Sequence, residues 1–243
     1  MKSYDHSSCR NPKDPMVLVA CRVMESELEA ARGDENNLEI RYLDQGLHRT
    51  LQKMSAISQE QVDKAAEYAS RIVIGYGLCS NGIVGVMARR QGLYFPHCHG
   101  DFIAFFMGSH QAYLKAFEAR PGTYYLTPGW IAEKKDPLGI IEEDYTPRLG
   151  REKAFWVMEE ELKHYTPISL INTGVGSIES LRKRAQENAR VLKKEYKEIR
   201  GNLDFFKKLI RGPYSTGDFL FLKPGLKITQ EMSLSEAIGC RPD

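Results

Sequence analysis

The chain has 243 residues, is 42% hydrophobic and 27% charged, and sets 34 Lys+Arg against 32 Asp+Glu for a formal net charge of +2. The apolar share excludes a disordered or collagen-like chain, and the near-neutral balance argues against a nucleic-acid partner, which calls for a clear basic excess. Five cysteines, an odd and sparse number for this length, exclude a disulfide framework and leave thiols available for other chemistry.

Residues 1–15 (MKSYDHSSCRNPKDP) read as a polar lead-in without the apolar core of a signal peptide. Met16–Cys21 (MVLVAC) is the longest apolar run near the start, far short of the ~20 residues of a membrane span. A cytoplasmic protein with reduced thiols and no membrane partner is expected. The same run predicts a first strand buried on both faces. Leu38–Leu43 predicts a second strand, and Ser58-x-x-Gln61 a capping box opening a helix with Val62, Ala65 and Ala69 on one face. Arg71–Tyr76 predicts a third strand, Asn81–Arg90 a helix, and Leu93–Phe95 a short fourth strand.

Asp101–Arg120 predicts a helix interrupted at Gly108, with Ser109 able to cap its second half. Thr123–Thr127 predicts a fifth strand. Thr146-Pro147 opens a helix reaching about His164, with proline where its missing N–H costs nothing. Ile168–Asn172 predicts a sixth strand. Ser177 then caps a long helix with Ile178, Leu181, Ala185, Leu192, Tyr196 and Ile199 at helical spacing, stopped by Gly201. Leu203–Ile210 and Asp218–Leu222 predict a last helix and a seventh strand.

Strands alternating with helices imply right-handed βαβ units. The expected fold is α/β: a mainly parallel, doubly wound, flavodoxin- or Rossmann-like three-layer sandwich of about seven strands. Residues 16–225 form this domain, with 138–147 the boundary if it has two lobes, and 226–243 a C-terminal extension.

Chemistry-bearing residues gather after the strands. Cys21 closes the first, Cys79 follows the third in GYGLCSNGIVG, and His97-Cys98-His99 follows the fourth in PHCHGD. In a flavodoxin-like strand order these ends share one edge of the sheet, where open α/β sheets bind their ligands. Cys21, Cys79 and His99, or His97 or Cys98 in its stead, supply the three Cys/His ligands of a catalytic zinc site. The rival reading is that a cysteine at a strand end is a small buried hydrophobe, and that one histidine bonds backbone while its neighbours are solvated. Glu25 or Glu27 would add a carboxylate. Gly77, Asn81, Gly82, Asp101, Trp130, Thr173 and Gly174 would line the same edge. The glycines around Cys79 miss the dinucleotide spacing, because Ser80 stands where the third glycine belongs. Cys9 and Cys240 read as bystanders near the ends of the sequence.

VLVACRVMESEL, IVIGYGLCSNGIVG, the Pro-His-Cys-His-Gly-Asp segment ending in FFMGS, and PGTYYLTPGW together resemble an uncharacterised prokaryotic family catalogued as domain of unknown function 1638. The resemblance spans roughly residues 16–225. Members often occur in anaerobes and methanogens beside corrinoid-dependent methyltransferase genes, which implies a role near methyl transfer or cobalamin chemistry. It implies functional cysteines at Cys21 and Cys79 and a histidine at His99. The family carries His-Asp-Cys in the last loop, whereas this chain reads His99-Gly100-Asp101 with the cysteine upstream at Cys98, and Arg22 stands where glycine is usual.

The leading expectation is a metal-binding protein of one-carbon or corrinoid-linked metabolism. Its divalent ion, zinc ahead of iron on the softness of two thiolates and an imidazole, would activate a thiol, water or carbonyl. A small-molecule substrate, a corrinoid, a corrinoid protein or a methyltransferase would be its partner. The alternatives are a metal-free, racemase-like cysteine acid/base enzyme acting on a small carboxylate, and a non-catalytic cofactor carrier or methyltransferase partner.

Overall fold

The structure is a computed structural model that describes residues 14–49, 51–77, 81–97, 103–215 and 217–233. Along the chain, β1 (Met16–Cys21) leads through a 3-10 turn into α1 (Glu25–Arg32), then β2 (Leu38–Leu43), α2 (Leu51–Ala66), β3 (Arg71–Gly75) and β4 (Leu93–Pro96). There follow α3 (Ile103–Phe106), α4 (His110–Ala119), β5 (Tyr124–Leu126), α5 (Pro128–Ala132) and α6 (Pro137–Gly139), which runs into a π-helical segment, Ile140–Tyr145. The rest is α7 (Thr146–Leu149), α8 (Arg151–Glu161), β6 (Pro167–Asn172), α9 (Ile178–Val191), β7 (Glu195–Arg200), α10 (Asp204–Arg211) and β8 (Phe219–Leu222).

The chain divides into two units. The first takes residues up to Arg22, Arg32–Phe102 and the chain from Lys207; the second takes Val23–Ala31 and Ile103–Phe206. The segment 138–147 lies inside the second unit.

In the first unit a five-stranded sheet runs in the order β2-β1-β3-β4-β8. Its first four strands are parallel, and β8 closes the edge antiparallel to β4, pairing Tyr94 with Phe221. All six residues of β1 are buried, which explains an uninterrupted apolar run in a strand flanked on both sides. Gly75 on β3 lets that strand close on β1, since a Cβ there would stand 3.3 Å from Ala20 Cβ.

In the second unit β5, β6 and β7 form a three-stranded parallel sheet with β6 in the middle. Leu126, Ile168 and Leu170 pack with Met158 of α8 and with Ala185 and Ala189 of α9. A buried polar knot joins α6 to α9. Asp136 Oδ2 accepts from Asn188 Nδ2 at 2.7 Å and Arg184 Nε at 3.0 Å, and Asn188 Oδ1 accepts from the Leu138 N–H at 2.9 Å. These bonds satisfy backbone and side-chain groups that burial would otherwise leave unsolvated.

The class is α/β with mainly parallel sheets, as the alternation implies. Among the described residues there are eight strands in two sheets. The added strand is β7, where the spacing of Tyr196 and Ile199 predicts the second half of a helix ending at Gly201. Lys193 takes a left-handed φ of 55° and ends α9, and Glu195–Arg200 then pairs along β6. The other departures are local. Asn81–Arg90 is a series of turns, because Asn81 and Gly85 take φ of 57° and 91° and Gly85, Val86 and Ala88 bond to Leu226 and Ile228. Ser58 lies inside α2, buried on the face that carries Met54, Val62 and Ala65. The helix expected from Thr146 breaks at Gly150, φ 77°.

Candidate functional site

The parallel strands of the first unit have their C-terminal ends along one edge, with β1, β3 and β4 adjacent. Chain order reverses between β1 and β3, the position at which open α/β sheets bind ligands. Cys21 is the last residue of β1 and is buried. β3 ends at Gly75 and continues through Tyr76 and Gly77, both buried, toward 78–80. β4 ends at Pro96 and continues to His97.

Cys21 lies close to Tyr76, and its sulfur acts on the Tyr76 hydroxyl electrostatically. Burial pushes the Tyr76 hydroxyl well above its ordinary range, and the neighbouring Cys21 and Asp44 reinforce the shift. The phenol therefore keeps its proton at any ordinary pH. The strand pattern of the sequence marks Tyr76 only as a strand residue. The available signal is a phenol set between two glycines at the end of an apolar strand.

His97 continues the pairing of β4 with β8, its N–H donating to Asp218 O at 2.8 Å. Its ring Nδ1 lies 3.3 Å from the Gly217 carbonyl oxygen. A carbonyl can only accept, so Nδ1 carries the proton, and in the neutral ring Nε2 then holds the lone pair. Metal-binding histidines commonly have this arrangement.

Cys79, Cys98, His99 and Asp101 lie outside the described residues. Among the described residues no group of three or more His, Cys, Asp or Glu stands together as a metal site. Nor is any helix there long and apolar enough to cross a membrane. Asn81 is exposed, and Gly82 is buried, with no room for a Cβ because Met54 Sδ would stand 2.4 Å away.

The remaining expected residues belong to the second unit. Trp130 stands in the first turn of α5, where its backbone N–H donates to the Thr127 cap at 3.3 Å. The neighbouring glycine, Gly129, is required by close packing: a Cβ there would fall 1.7 Å from the Val23 carbonyl oxygen. Glu25 is half-buried, whereas Glu27, further into α1, is wholly buried. Glu27 Oε1 accepts from Thr173 Oγ1 at 2.9 Å. Its Oε2 is buried with no partner among the described residues. Burial pushes the Glu27 carboxyl up to about 7, against the opposing pull of the Thr173 hydroxyl and its own backbone N–H. Thr173 and the exposed Gly174 follow β6 directly.

The model of a family described as a protein of unknown function, DUF1638, matches residues 42–210. The chain belongs to the DUF1638 family. No curated protein and no solved structure matches it. The DUF1638 match takes in Tyr76, Cys79, the His97–His99 segment, Trp130 and Thr173. Cys21 and Glu27 precede the matched segment.

Proposed function

We propose that the protein binds a divalent transition metal at the switch-point edge of its five-stranded sheet and uses it in one-carbon or corrinoid-linked metabolism. Cys21, Cys79 and one of His97, Cys98 and His99 are the ligands. The observation that carries this reading is the strand order, in which β1 ends on a buried cysteine beside the ends of β3 and β4. The donor set fits a soft or borderline ion: thiolates and imidazole favour zinc over a hard, oxygen-seeking cation, with iron next. A protonated Tyr76 hydroxyl close to Cys21 fits the same role, since an O–H near a thiolate can turn to donate to the deprotonated form that a metal needs. Such a metal supplies Lewis acidity toward a bound water, thiol or carbonyl. A small-molecule substrate, a corrinoid or a methyltransferase is the partner that the family resemblance suggests, and cobalamin titration followed by its visible spectrum tests that part.

The deciding experiment is elemental analysis of anaerobically purified protein, as wild type and as Cys21→Ala and Cys79→Ala. About one metal per chain, lost in both variants, is expected. Less than ~0.2 per chain, unchanged by Cys79→Ala, overturns the reading, because metal held by thiolates must depend on them.

A metal-free reading draws on the same Tyr76–Cys21 contact, which also suits a thiolate acting as acid or base on a small carboxylate. Rapid alkylation of Cys79 in protein shown to lack metal would favour it. Alkylation at the rate of an ordinary thiol would remove it.

A further inference from the structure

Helix α8 of the second unit is apolar on two sides. Ala154, Met158 and Leu162 recur at every fourth residue and are buried, so they set the face that packs on the core. Trp156, midway between Ala154 and Met158, falls on the opposite side of the helix, and 59% of its surface is exposed. Leu149, just ahead of the helix, is exposed as well. Large apolar groups left in water forgo the stabilisation that burial gives them. The two line an open groove of about 480 Å³ together with Arg151, Glu152 and Lys153. That volume is in the range of pockets that take up a whole small ligand, which is room for several side chains of a neighbouring element.

The charges of α8 run against its dipole. A helix favours acidic groups at its start and basic groups at its end. Here Arg151 and Lys153 stand in the first turn, with Glu152 between them and Arg148 just ahead. The last turn holds Glu159, Glu160 and Glu161 and no basic residue. Few of these charges are met within the chain. Arg151 lies over the Phe155 ring at 5.9 Å. Glu161 accepts from the Tyr145 hydroxyl at 2.6 Å, and Glu160 pairs with Lys163 at 3.2 Å in an exposed bridge. Among the described residues Arg148, Glu152, Lys153 and Glu159 make no ion pair. A helix with a basic start and an acidic end is complementary to a reversed copy of itself.

We propose that the protein associates with a second copy of itself through α8, the two helices lying antiparallel about a two-fold axis beside Trp156. The two Trp156 rings meet at the axis and lose water there. The stretch of each helix after Trp156 lies along the groove before Trp156 of the other. This sets the basic start of each helix beside the acidic end of its counterpart. On the Trp156 side of α8, Lys153 then meets Glu160 of the second copy, and Glu152 comes within reach of Lys163 of the second copy. Both contacts occur twice, as an isologous interface requires. The helix dipoles are opposed in the same arrangement, which favours it. A wholly acidic partner fits less well, because α8 would turn its own acidic end toward like charge. One helix face is small beside the interfaces of obligate dimers, so the association is reversible and depends on protein concentration.

Sedimentation velocity of the full chain over a range of concentrations tests this. A monomer–dimer equilibrium is expected by ~100 μM protein, weakened by added salt. Trp156→Ala should raise the dimer dissociation constant roughly tenfold or more, as loss of a central aromatic does. Because Trp156 is exposed, the variant should keep the wild-type thermal transition, which separates lost association from lost folding. Lys153→Glu and Glu160→Lys, each alone, bring like charges together at two places and should sediment as monomers. An equimolar mixture of these two variants restores opposite charges at both places and should sediment as a dimer. A wild type that stays monomeric at every concentration overturns the proposal. So does a dimer of unchanged strength in Trp156→Ala, which would put the interface elsewhere. Failure of the two charge variants to associate when mixed overturns the antiparallel pairing. None of these outcomes depends on metal content, since no ligand of the metal site proposed above lies on α8.

Discussion

Single residues carry two sharp expectations. Glu27 titrates near 7 in the fold, against an ordinary value of 4.5. The folded state therefore holds its proton where the unfolded chain has lost it. The stabilisation is complete below about 4.5 and declines as pH rises toward 7, by about 3 kcal/mol in all, because a tenfold difference in proton affinity between the two states is worth about 1.4 kcal/mol. Glu27→Gln should flatten this part of the stability-against-pH curve in denaturant titrations and leave the variant the more stable protein at pH 8. Tyr76 is the other case. Tyr76→Phe removes the donor beside Cys21 while keeping the ring, and if Cys21 is a ligand the affinity for zinc should fall by roughly 10-fold or more, the usual effect of losing a group that orients a ligand. A competition titration with a zinc chelator reads it, and unchanged affinity would remove Tyr76 from the site.

Among the elements, α5 and the α6–α9 junction depend on close approach. Gly129→Ala sets a methyl group against the Val23 carbonyl oxygen. Backbone cannot yield as a side-chain tip can, so the loss should exceed about 2 kcal/mol. Asn188→Ala leaves Asp136 and the Leu138 amide short of partners in a buried place and should cost about 2–4 kcal/mol. By contrast, Ser109→Ala removes one cap bond, from the Ala112 N–H, and about 1 kcal/mol with it. Urea unfolding of the three variants should show Ser109→Ala as the mildest. Local sequence marks both Ser109 and Ser177 as caps, but only Ser109 bonds its helix, whereas Ser177 starts α9 without a side-chain cap bond. The difference lies in what the surrounding chain offers each hydroxyl, and residue type alone does not contain it.

For the whole molecule, the order of the chain has a direct consequence. The second unit includes Val23–Ala31, drawn from the region just after β1. Glu27, Leu28 and Ala31 are buried there, Thr173 bonds Glu27, and Gly129 packs on Val23. A fragment spanning 103–206 lacks that helix and should fail to unfold cooperatively on heating, since it loses both its buried apolar contacts and the partner of Thr173. A sharp thermal transition for the fragment would contradict this view of the unit.

Strand positions are legible from the sequence where burial is two-sided. Met16–Cys21 has the bounds read from composition alone, because a parallel strand between neighbours needs an apolar run and little else. Leu38–Leu43 also has the bounds expected of it, although it is an edge strand with only its two end residues buried. The placing of Cys21 at a strand end follows from the same run. β7 is not legible in this way. EYKEIR continues the helical spacing of α9 as readily as it forms a strand, and only the left-handed Lys193 and the pairing edge of β6 decide between them. The cysteine count and the α/β alternation are thus written locally. The division into two sheets, the Tyr76–Cys21 contact and the burial of Glu27 while Glu25 stays half-exposed depend on residues far apart in sequence. Those features arise only when tertiary packing decides which polar groups lose water and which partners they meet.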